Sequence, residues 1–181
     1  MFQDQKILPA ISNFKNLKEF LKSDYTYCII MDFQLAEIEY IIKDLKENNK
    51  KVLVHVDLIK GLTADEYGAI HLIQNLKVDG LISIKPRVME VAKKRNVISM
   101  QRIFLKDSLS FQKSLDMVNK TEPDCLEVLP AISGELIQQI KDYVHIDVYC
   151  GGLISSKTQI ENCMKSGASG VTVSNTTLWK K

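Results

Sequence analysis

The chain has 181 residues, of which 45% are hydrophobic and 25% charged, with a net charge of +2 at pH 7. This composition indicates a globular protein with a sizeable core. A membrane span needs about 20 consecutive apolar residues, and no run in the sequence is that long. So mild a basic excess neither demands nor excludes a nucleic-acid partner. The N-terminus MFQDQKILPA lacks the order of regions found in a secretion signal. We therefore expect one domain over residues 1–181, in the cytoplasm and without a membrane partner.

Eight short apolar runs have the length and the residue types of β-strands. In chain order they are KILPAI (6–11), YCIIMD (27–32), VLVHVD (52–57), DGLISI (79–84), VISMQR (97–102), CLEVLP (125–130), VYCGG (148–152) and GVTVSN (170–175). The segments between them carry apolar residues three or four apart, as in Ile38, Ile41, Ile42 and Leu45, which is typical of one helical face. Strict alternation of strand and helix predicts a parallel sheet, because parallel neighbours need crossover connections.

The number of units favours an α/β fold of the closed type, a small (β/α)8 TIM-type barrel. Such barrels usually take about 250 residues, so we expect short helices here. Only TTLWKK follows the eighth strand, which predicts a truncated final helix. The alternative is an open sheet in which the last strands are over-assigned.

The cysteines give no sign of a metal site. Cys28, Cys125, Cys150 and Cys163 lie far apart without a C-x-x-C pair, and three of them fall inside apolar runs. This pattern predicts buried reduced thiols rather than zinc ligands or disulfides.

Polar residues gather at the carboxyl ends of the predicted strands, the edge where parallel barrels carry their functional sites. They are Asp32, His55, Asp57, Lys85, Gln101, Arg102, Glu127, Ser174 and Asn175. His55 and Asp57 are two residues apart, which places them on one side of a strand. We expect them to face the barrel mouth together with Glu127. The alternatives are a packing role for His55, a turn-capping Asp57, and a Glu127 paired to an Arg or Lys inside the barrel.

The glycine pair after the seventh strand predicts an anion site. Gly151 and Gly152 would let a phosphate approach the backbone closely, and Ser174 and Asn175 would add a hydroxyl, an amide and N–H groups from the neighbouring loop. A turn that requires positive φ is the alternative, and it explains one glycine better than two. With positive charge from Arg102 or Lys85, the mouth would fit a small phosphorylated polyol.

The residues alone leave an enzyme and a sensor both open. Glu127 and Asp57 could form the acid/base pair of a phosphosugar- or glycerol-phosphate-metabolising barrel enzyme. No lysine lies in the apolar interior of a strand as a Schiff-base candidate, and no metal-type cluster extends beyond His55 and Asp57.

Five segments carry a family resemblance over about residue 6 to the C-terminus. They are HVDLIKGLTADEYGAI, DGLISIKPRVMEVAKK, SMQRIFLKDSLSFQKSLDMV, DCLEVLPAIS and GGLISSKTQIENCMKSGASGVTVSNTTLW. With these the chain resembles the glycerol-3-phosphate-responsive antiterminator family. The resemblance implies a small (β/α)8 barrel that regulates without catalysis and needs no cofactor. It also implies glycerol 3-phosphate as the effector ligand and leader mRNA of glycerol-catabolism operons as the partner, with antitermination and transcript stability as the outcome.

The resemblance also implies an assignment of the ligand. Its phosphate would lie on Gly151, Gly152, Ser174 and Asn175, and its glycerol hydroxyls on Asp57 and Glu127, with His55, Asp32 and Arg102 nearby. One departure is the segment after the fourth strand, which reads SIKPR where a serine- or threonine-rich stretch is expected. This weakens the case for Lys85 as a ligand residue.

The RNA surface is harder to place. Its candidates are the basic residues Lys85, Arg87, Lys93, Lys94 and Arg95, which could meet phosphates, although a solvated helix face explains the KKR triplet as well. Phe104 could stack on an unpaired base, or pack between the fifth strand and its helix. A homodimer would double the basic patch, and the sequence leaves the oligomeric state open.

Overall fold

The structure is a computed structural model that describes residues 1–131 and 135–179. Within these residues, eight strands alternate with seven α-helices. The strands are β1 (Ile7–Ile11), β2 (Tyr27–Ile30), β3 (Lys51–His55), β4 (Gly80–Ser83), β5 (Ile98–Phe104), β6 (Cys125–Leu129), β7 (Asp147–Gly151) and β8 (Gly170–Val173). The helices are α1 (Phe14–Leu21), α2 (Leu35–Glu47), α3 (Glu66–Gln74), α4 (Pro86–Lys94), α5 (Ser108–Thr121), α6 (Glu135–Val144) and α7 (Lys157–Lys165).

The strands close into a parallel barrel in chain order. Each strand pairs with the next, and β1 also pairs with β8, with Leu8 opposite Thr172. Closure excludes the open sheet and confirms the small (β/α)8 barrel. Each of the eight predicted strand segments overlaps one of these strands.

Three predicted strands, β2, β3 and β8, end two residues earlier than their sequence pattern indicates. β2 stops at Ile30, and two residues later Asp32 adopts a positive φ of 64°, which a strand cannot accommodate. β3 stops at His55 because residues Val56–Leu58 form a 3₁₀ turn. Asp57 therefore lies just beyond the strand rather than within it, so the prediction of two same-side strand residues is wrong in detail.

The barrel interior below its carboxyl end is apolar. Side chains from successive strands fill it: Leu8, Ala10, Ile29, Leu53, Ile82, Met100, Cys125 and Tyr149. At the amino end Phe2 closes the interior, edge-on to Tyr27 at 5.1 Å and to Tyr149 at 5.3 Å between ring centroids. Aromatic rings therefore close the amino end of the barrel interior.

The helices bury one face each against the outside of the barrel, as their apolar spacing predicts. In α2 the stripe Ile38, Ile41, Ile42 and Leu45 is buried. Every helix follows a strand, so its first turn lies at the mouth. Asp107 and Ser156, for example, cap α5 and α7 there through capping boxes.

The final helix is truncated, as predicted. After β8 the chain forms a 3₁₀ turn, Thr176–Leu178, and then Trp179 packs against the barrel. The Trp179 side chain is 5% exposed, and its Nε1 donates a hydrogen bond to the Val173 carbonyl at 2.9 Å. One aromatic side chain thus covers part of the surface that an eighth helix covers in longer barrels.

All four cysteines are buried thiols, in agreement with the sequence prediction. Burial raises the pKa of the Cys28 thiol far above its ordinary value. Among the helices that the structure describes, none is long and apolar enough to span a bilayer.

Candidate functional site at the barrel mouth

Alternation along the strands puts a polar layer directly above the apolar interior. His55 stands two residues after the inward Leu53 of β3, and Glu127 stands two after the inward Cys125 of β6. By the same spacing Arg102 and Thr172 face inward from β5 and β8. Four polar side chains from four strands therefore meet at the carboxyl end of the barrel.

Arg102 and Glu127 form a buried ion pair in this layer. Arg102 Nε donates to Glu127 Oε2 at 2.6 Å, and their side chains are 11% and 1% exposed. A carboxylate buried so deeply needs a charge partner. The structure therefore agrees with the alternative prediction, in which Glu127 pairs with an arginine or lysine inside the barrel. The terminal Nη groups of Arg102 donate no hydrogen bond within the described part of the chain. They are available to an anion.

Thr172 is a member of the layer that the sequence analysis missed. Its hydroxyl donates to Glu127 Oε1 at 2.6 Å. A Cβ on Gly151 would lie 2.2 Å from Thr172 Oγ1, so the first glycine of the pair makes room for this hydrogen bond. The signal in the sequence was a threonine at the inward spacing of an otherwise apolar strand, two residues before Ser174.

His55 and Asp57 hold buried polar atoms that lack partners. His55 is 1% exposed, and neither of its ring nitrogens has a hydrogen bond within residues 1–131 and 135–179. Asp57 Oδ1 has none there either. Asp57 Oδ2 lies 3.6 Å from His55 Nδ1 and accepts a hydrogen bond from the Ile84 N–H at 3.2 Å. Unsatisfied buried polar groups are costly, so this group is a candidate to bind polar ligand atoms.

The imidazole of His55 is neutral at physiological pH. Burial, and after it the positive charge of Arg102, lower its pKa from 6.5 to about 3. The 3.6 Å contact with Asp57 is therefore made by an uncharged ring. A neutral ring offers one donor and one acceptor nitrogen, which suits a hydroxyl group.

The loops after β7 and β8 present backbone donors to the mouth. The N–H groups of residues 152–154 and 174–176, which we call the phosphate loops, donate no hydrogen bond to the residues described. β7 and β8 are paired, so the two loops are neighbours. By contrast, Gln159 Oε1 occupies the N–H groups of Ser155 and Ser156 at 2.7 and 3.1 Å.

Gly152 and Asn175 of the phosphate loops also have structural roles. Gly152 has a φ of 74°, so the second glycine is the turn residue that the alternative interpretation required. Asn175 Oδ1 accepts hydrogen bonds from Thr177 N at 3.1 Å and Thr177 Oγ1 at 2.8 Å. Ser174 is exposed. The anion-binding roles of these residues stay predictions.

Asp32, a predicted ligand residue, and Lys85, a predicted RNA residue, lie at the edge of the mouth. Asp32 is exposed, and its N–H donates to the Leu58 carbonyl at 3.0 Å, which brings the β2 loop beside the Asp57 turn. Lys85 is the exposed N-cap residue of α4, and its side chain makes no cap hydrogen bond.

The predicted RNA residues divide between the two ends of the barrel. Lys85 and Arg87 lie at the start of α4, at the mouth, whereas Lys93, Lys94 and Arg95 lie at its opposite end. Arg87 is held by Glu66 at 2.6 Å and Glu90 at 2.9 Å, and Lys93 by Glu122 at 3.3 Å. The five cations therefore cannot act as one continuous patch.

A cavity of about 700 Å³ lies between residues 2–7, the end of α1, Thr176 and Trp179. None of the predicted ligand residues lines it. Within the described residues, no group of three or more His, Cys, Asp or Glu side chains is placed to hold a metal ion.

Solved structures share this architecture. The glycerol uptake operon antiterminator regulatory protein of Listeria monocytogenes strain 4b F2365 is 36% identical, with a TM-score of 0.94 over 97% of this chain and 95% of that one. A glycerol uptake operon antiterminator-related protein of Thermotoga maritima MSB8 is 24% identical, with a TM-score of 0.82 over 100% of both chains. Barrel enzymes that match are only 12–15% identical, so their likeness concerns the fold alone.

Sequence comparison extends the likeness to almost the whole chain. The uncharacterized protein YgcP of Escherichia coli K12 is 24% identical over 179 residues, which cover 99% of this chain and 94% of that protein. The family model described as glycerol-3-phosphate responsive antiterminator matches residues 7–179. The chain therefore belongs to the glycerol-3-phosphate responsive antiterminator family.

Proposed function

We propose that this protein binds glycerol 3-phosphate at the barrel mouth and, in that form, binds the leader mRNA of glycerol-catabolism operons. Binding would promote antitermination and stabilise the transcript, and the ligand would be released unchanged. Family membership supports the effector and the regulatory role. The observation that carries the ligand site is the buried imidazole of His55. Within the described part of the chain its two nitrogens have no hydrogen-bond partner, and neither has the nearby Asp57 Oδ1.

The glycerol moiety fits the β3 side of the mouth. A hydroxyl group both donates and accepts, so it can satisfy the neutral His55 ring and the Asp57 carboxylate at once. Each such bond would satisfy a buried polar group that otherwise has no partner among the described residues. Asp32 would stand at the rim of this half.

The phosphate fits the opposite half. The phosphate loops offer N–H groups from two neighbouring turns, and backbone donors of this kind bind anions in many barrels. Arg102 adds positive charge in the polar layer, with Glu127 and Thr172 holding its guanidinium in place. In this account Glu127 acts on the ligand chiefly through Arg102.

The barrel-enzyme alternative, with Glu127 and Asp57 as acid and base, has weaker support. Both oxygens of Glu127 are engaged, one by Arg102 and one by Thr172, at 2.6 Å each. A general acid or base must reach the substrate proton within hydrogen-bond distance. A carboxylate that is 1% exposed and doubly held is poorly placed for that.

A substitution at Ser174 tests the phosphate site. Gly152 is a poor choice, because any side chain there is strained at φ 74° and meets Leu129 Cδ2 at 3.3 Å. Ser174 is exposed and has no positive φ. We expect Ser174→Asp to weaken glycerol 3-phosphate binding about tenfold or more, since like charges a few ångströms apart repel strongly near a protein surface. Isothermal titration calorimetry measures it.

Ser174→Asn is the matched control, because it has the same shape without the charge. It should change the affinity far less than Ser174→Asp. Equal affinities of the two variants would contradict the phosphate assignment. Incubation of the wild type with glycerol 3-phosphate, followed by ³¹P NMR, separates the functions: turnover that Glu127→Gln abolishes would favour the enzyme.

A further inference from the structure

Apolar side chains are exposed beside two lysines where β4 and β5 reach the mouth. Ile84 and Phe104 are each 42% exposed, and Leu109 is 67% exposed. Lys85 and Lys106 lie among them and are exposed as well. We call these five residues the β4–β5 rim.

Phe104 projects above the neighbouring strand. The β4–β5 ladder ends where Ser83 pairs with Gln101, but β5 continues beside β6 until Phe104 pairs with Leu129. Phe104 has the same inward spacing as Arg102, so its ring lies towards the mouth rather than under α5. The packing role that the sequence analysis considered would have buried it.

The two lysines of the rim carry positive charge, and the carboxylate of Asp107 lies near enough to Lys106 for an electrostatic interaction. Neither Lys85 nor Lys106 forms an ion pair or a side-chain hydrogen bond within the described residues. Arg87, nearby on α4, is neutralised by two glutamates. The rim therefore combines an exposed aromatic ring with two lysines that form no ion pair within the described residues.

The rim is joined directly to the proposed ligand site. Asp57 Oδ2 accepts a hydrogen bond from the Ile84 backbone N–H at 3.2 Å. On the next strand, Arg102 stands two residues before Phe104. A ligand that engages Asp57 and Arg102 therefore acts on both segments of the rim without any long-range rearrangement.

We propose that the β4–β5 rim is the surface on which single-stranded RNA docks, with a base against Phe104 and phosphates at Lys85 and Lys106. Stacking on an aromatic ring flanked by cations is the chemistry by which proteins hold unpaired nucleotides. A protein partner would need no unpaired lysines beside the ring, so the charge favours RNA. This inference rests on the proposed function and excludes the Lys93–Arg95 end of α4 as the main contact.

Two rim variants and one control test it. Phe104→Ala removes the stacking surface, and Lys85→Gln with Lys106→Gln removes two charges. Lys94→Gln with Arg95→Gln removes two charges at the opposite end. With saturating glycerol 3-phosphate, fluorescence anisotropy of leader RNA should show about tenfold weaker binding for Phe104→Ala. The rim lysine variant should bind less tightly and lower the salt slope by about 1.4, while the control stays near the wild type.

The outcomes distinguish the inference from the function beneath it. Calorimetry should show unchanged glycerol 3-phosphate affinity for Phe104→Ala and for the Lys94 and Arg95 variant, because none of these side chains is placed on the ligand. RNA binding lost in the Lys94 and Arg95 variant but kept in the rim variants would overturn the inference and leave the proposed function standing. Wild-type protein that binds no leader RNA would overturn both. A rim variant that binds RNA normally but loses self-association would show a protein interface instead.

Discussion

The adjacent glycines Gly151 and Gly152 have different physical causes. Gly151 ends β7, where a Cβ would press on Thr172 Oγ1 at 2.2 Å and disturb the hydrogen bond that holds Glu127. Gly152 adopts a φ of 74°, which L-residues with side chains rarely accept. The pair thus shapes the polar layer and the phosphate loop at once, and neither glycine by itself identifies an anion site.

The neutral state of His55 makes the stability of the protein depend on pH. Its pKa is lowered in the folded state, from 6.5 to about 3, chiefly by burial. Its contribution is therefore complete above about pH 6.5, where both states are unprotonated, and is lost as the pH falls towards 3, because the unfolded chain takes up the proton first. We expect the free energy of unfolding to fall by up to about 1.4 kcal/mol per pH unit from this residue alone.

Urea denaturation at several pH values between 7 and 5 measures this dependence. His55→Asn is the matched variant, since it keeps a polar side chain and cannot be protonated. The wild-type curve should fall more steeply than the variant curve below pH 6.5. Parallel curves would mean that His55 is not held neutral by burial.

The segment after β8 differs from the corresponding part of longer barrels. The 3₁₀ turn Thr176–Leu178 and Trp179 take the place of a full eighth helix. Trp179 is 5% exposed, packs against the main hydrophobic core and bonds to Val173 O at 2.9 Å. A single buried side chain therefore covers the end of β8.

We expect Trp179→Ala to lower the free energy of unfolding by about 3–5 kcal/mol, the usual effect of truncating a large buried aromatic residue. Circular dichroism in urea measures the effect, because the only tryptophan of the chain is lost in the variant. Trp179→Phe keeps most of the packing and should lose much less. If Trp179→Ala lowered the free energy of unfolding by less than about 1 kcal/mol, the barrel would be stable without the packing of this side chain.

The elements themselves could be predicted because their signals are local. Apolar runs and helical stripes alternate along the chain, and each predicted strand is present. The ends of β2 and β3 could not be predicted, since the positive φ of Asp32 and the turn at Val56–Leu58 follow from tertiary contacts. The role of the Thr172 hydroxyl could not be predicted for a similar reason. It depends on the hydrogen bond to Glu127, which forms only when the fold brings β6 and β8 together on either side of β7.

The two ends of the barrel differ in polarity. The amino end is closed by Phe2 over an apolar interior, and the carboxyl end holds the polar layer, the phosphate loops and the β4–β5 rim. In our proposal the signal is bound and read at the same end. The two binding sites then need only share Asp57, Ile84 and the end of β5 to influence each other.

Coupling of this kind is a difference in affinity, and it is reciprocal. Glycerol 3-phosphate can favour RNA binding only if it binds more tightly to the RNA-competent form of the mouth. Typical coupling free energies correspond to changes of about 5- to 150-fold in affinity. Leader RNA should raise the affinity for glycerol 3-phosphate by the same factor.

The most direct test is the affinity of wild-type protein for leader RNA, measured by fluorescence anisotropy with and without saturating glycerol 3-phosphate. Our account predicts binding that is at least about fivefold tighter with the ligand, no such effect of glycerol, and a loss of the effect in Ser174→Asp. An RNA affinity that is the same with and without glycerol 3-phosphate would contradict it.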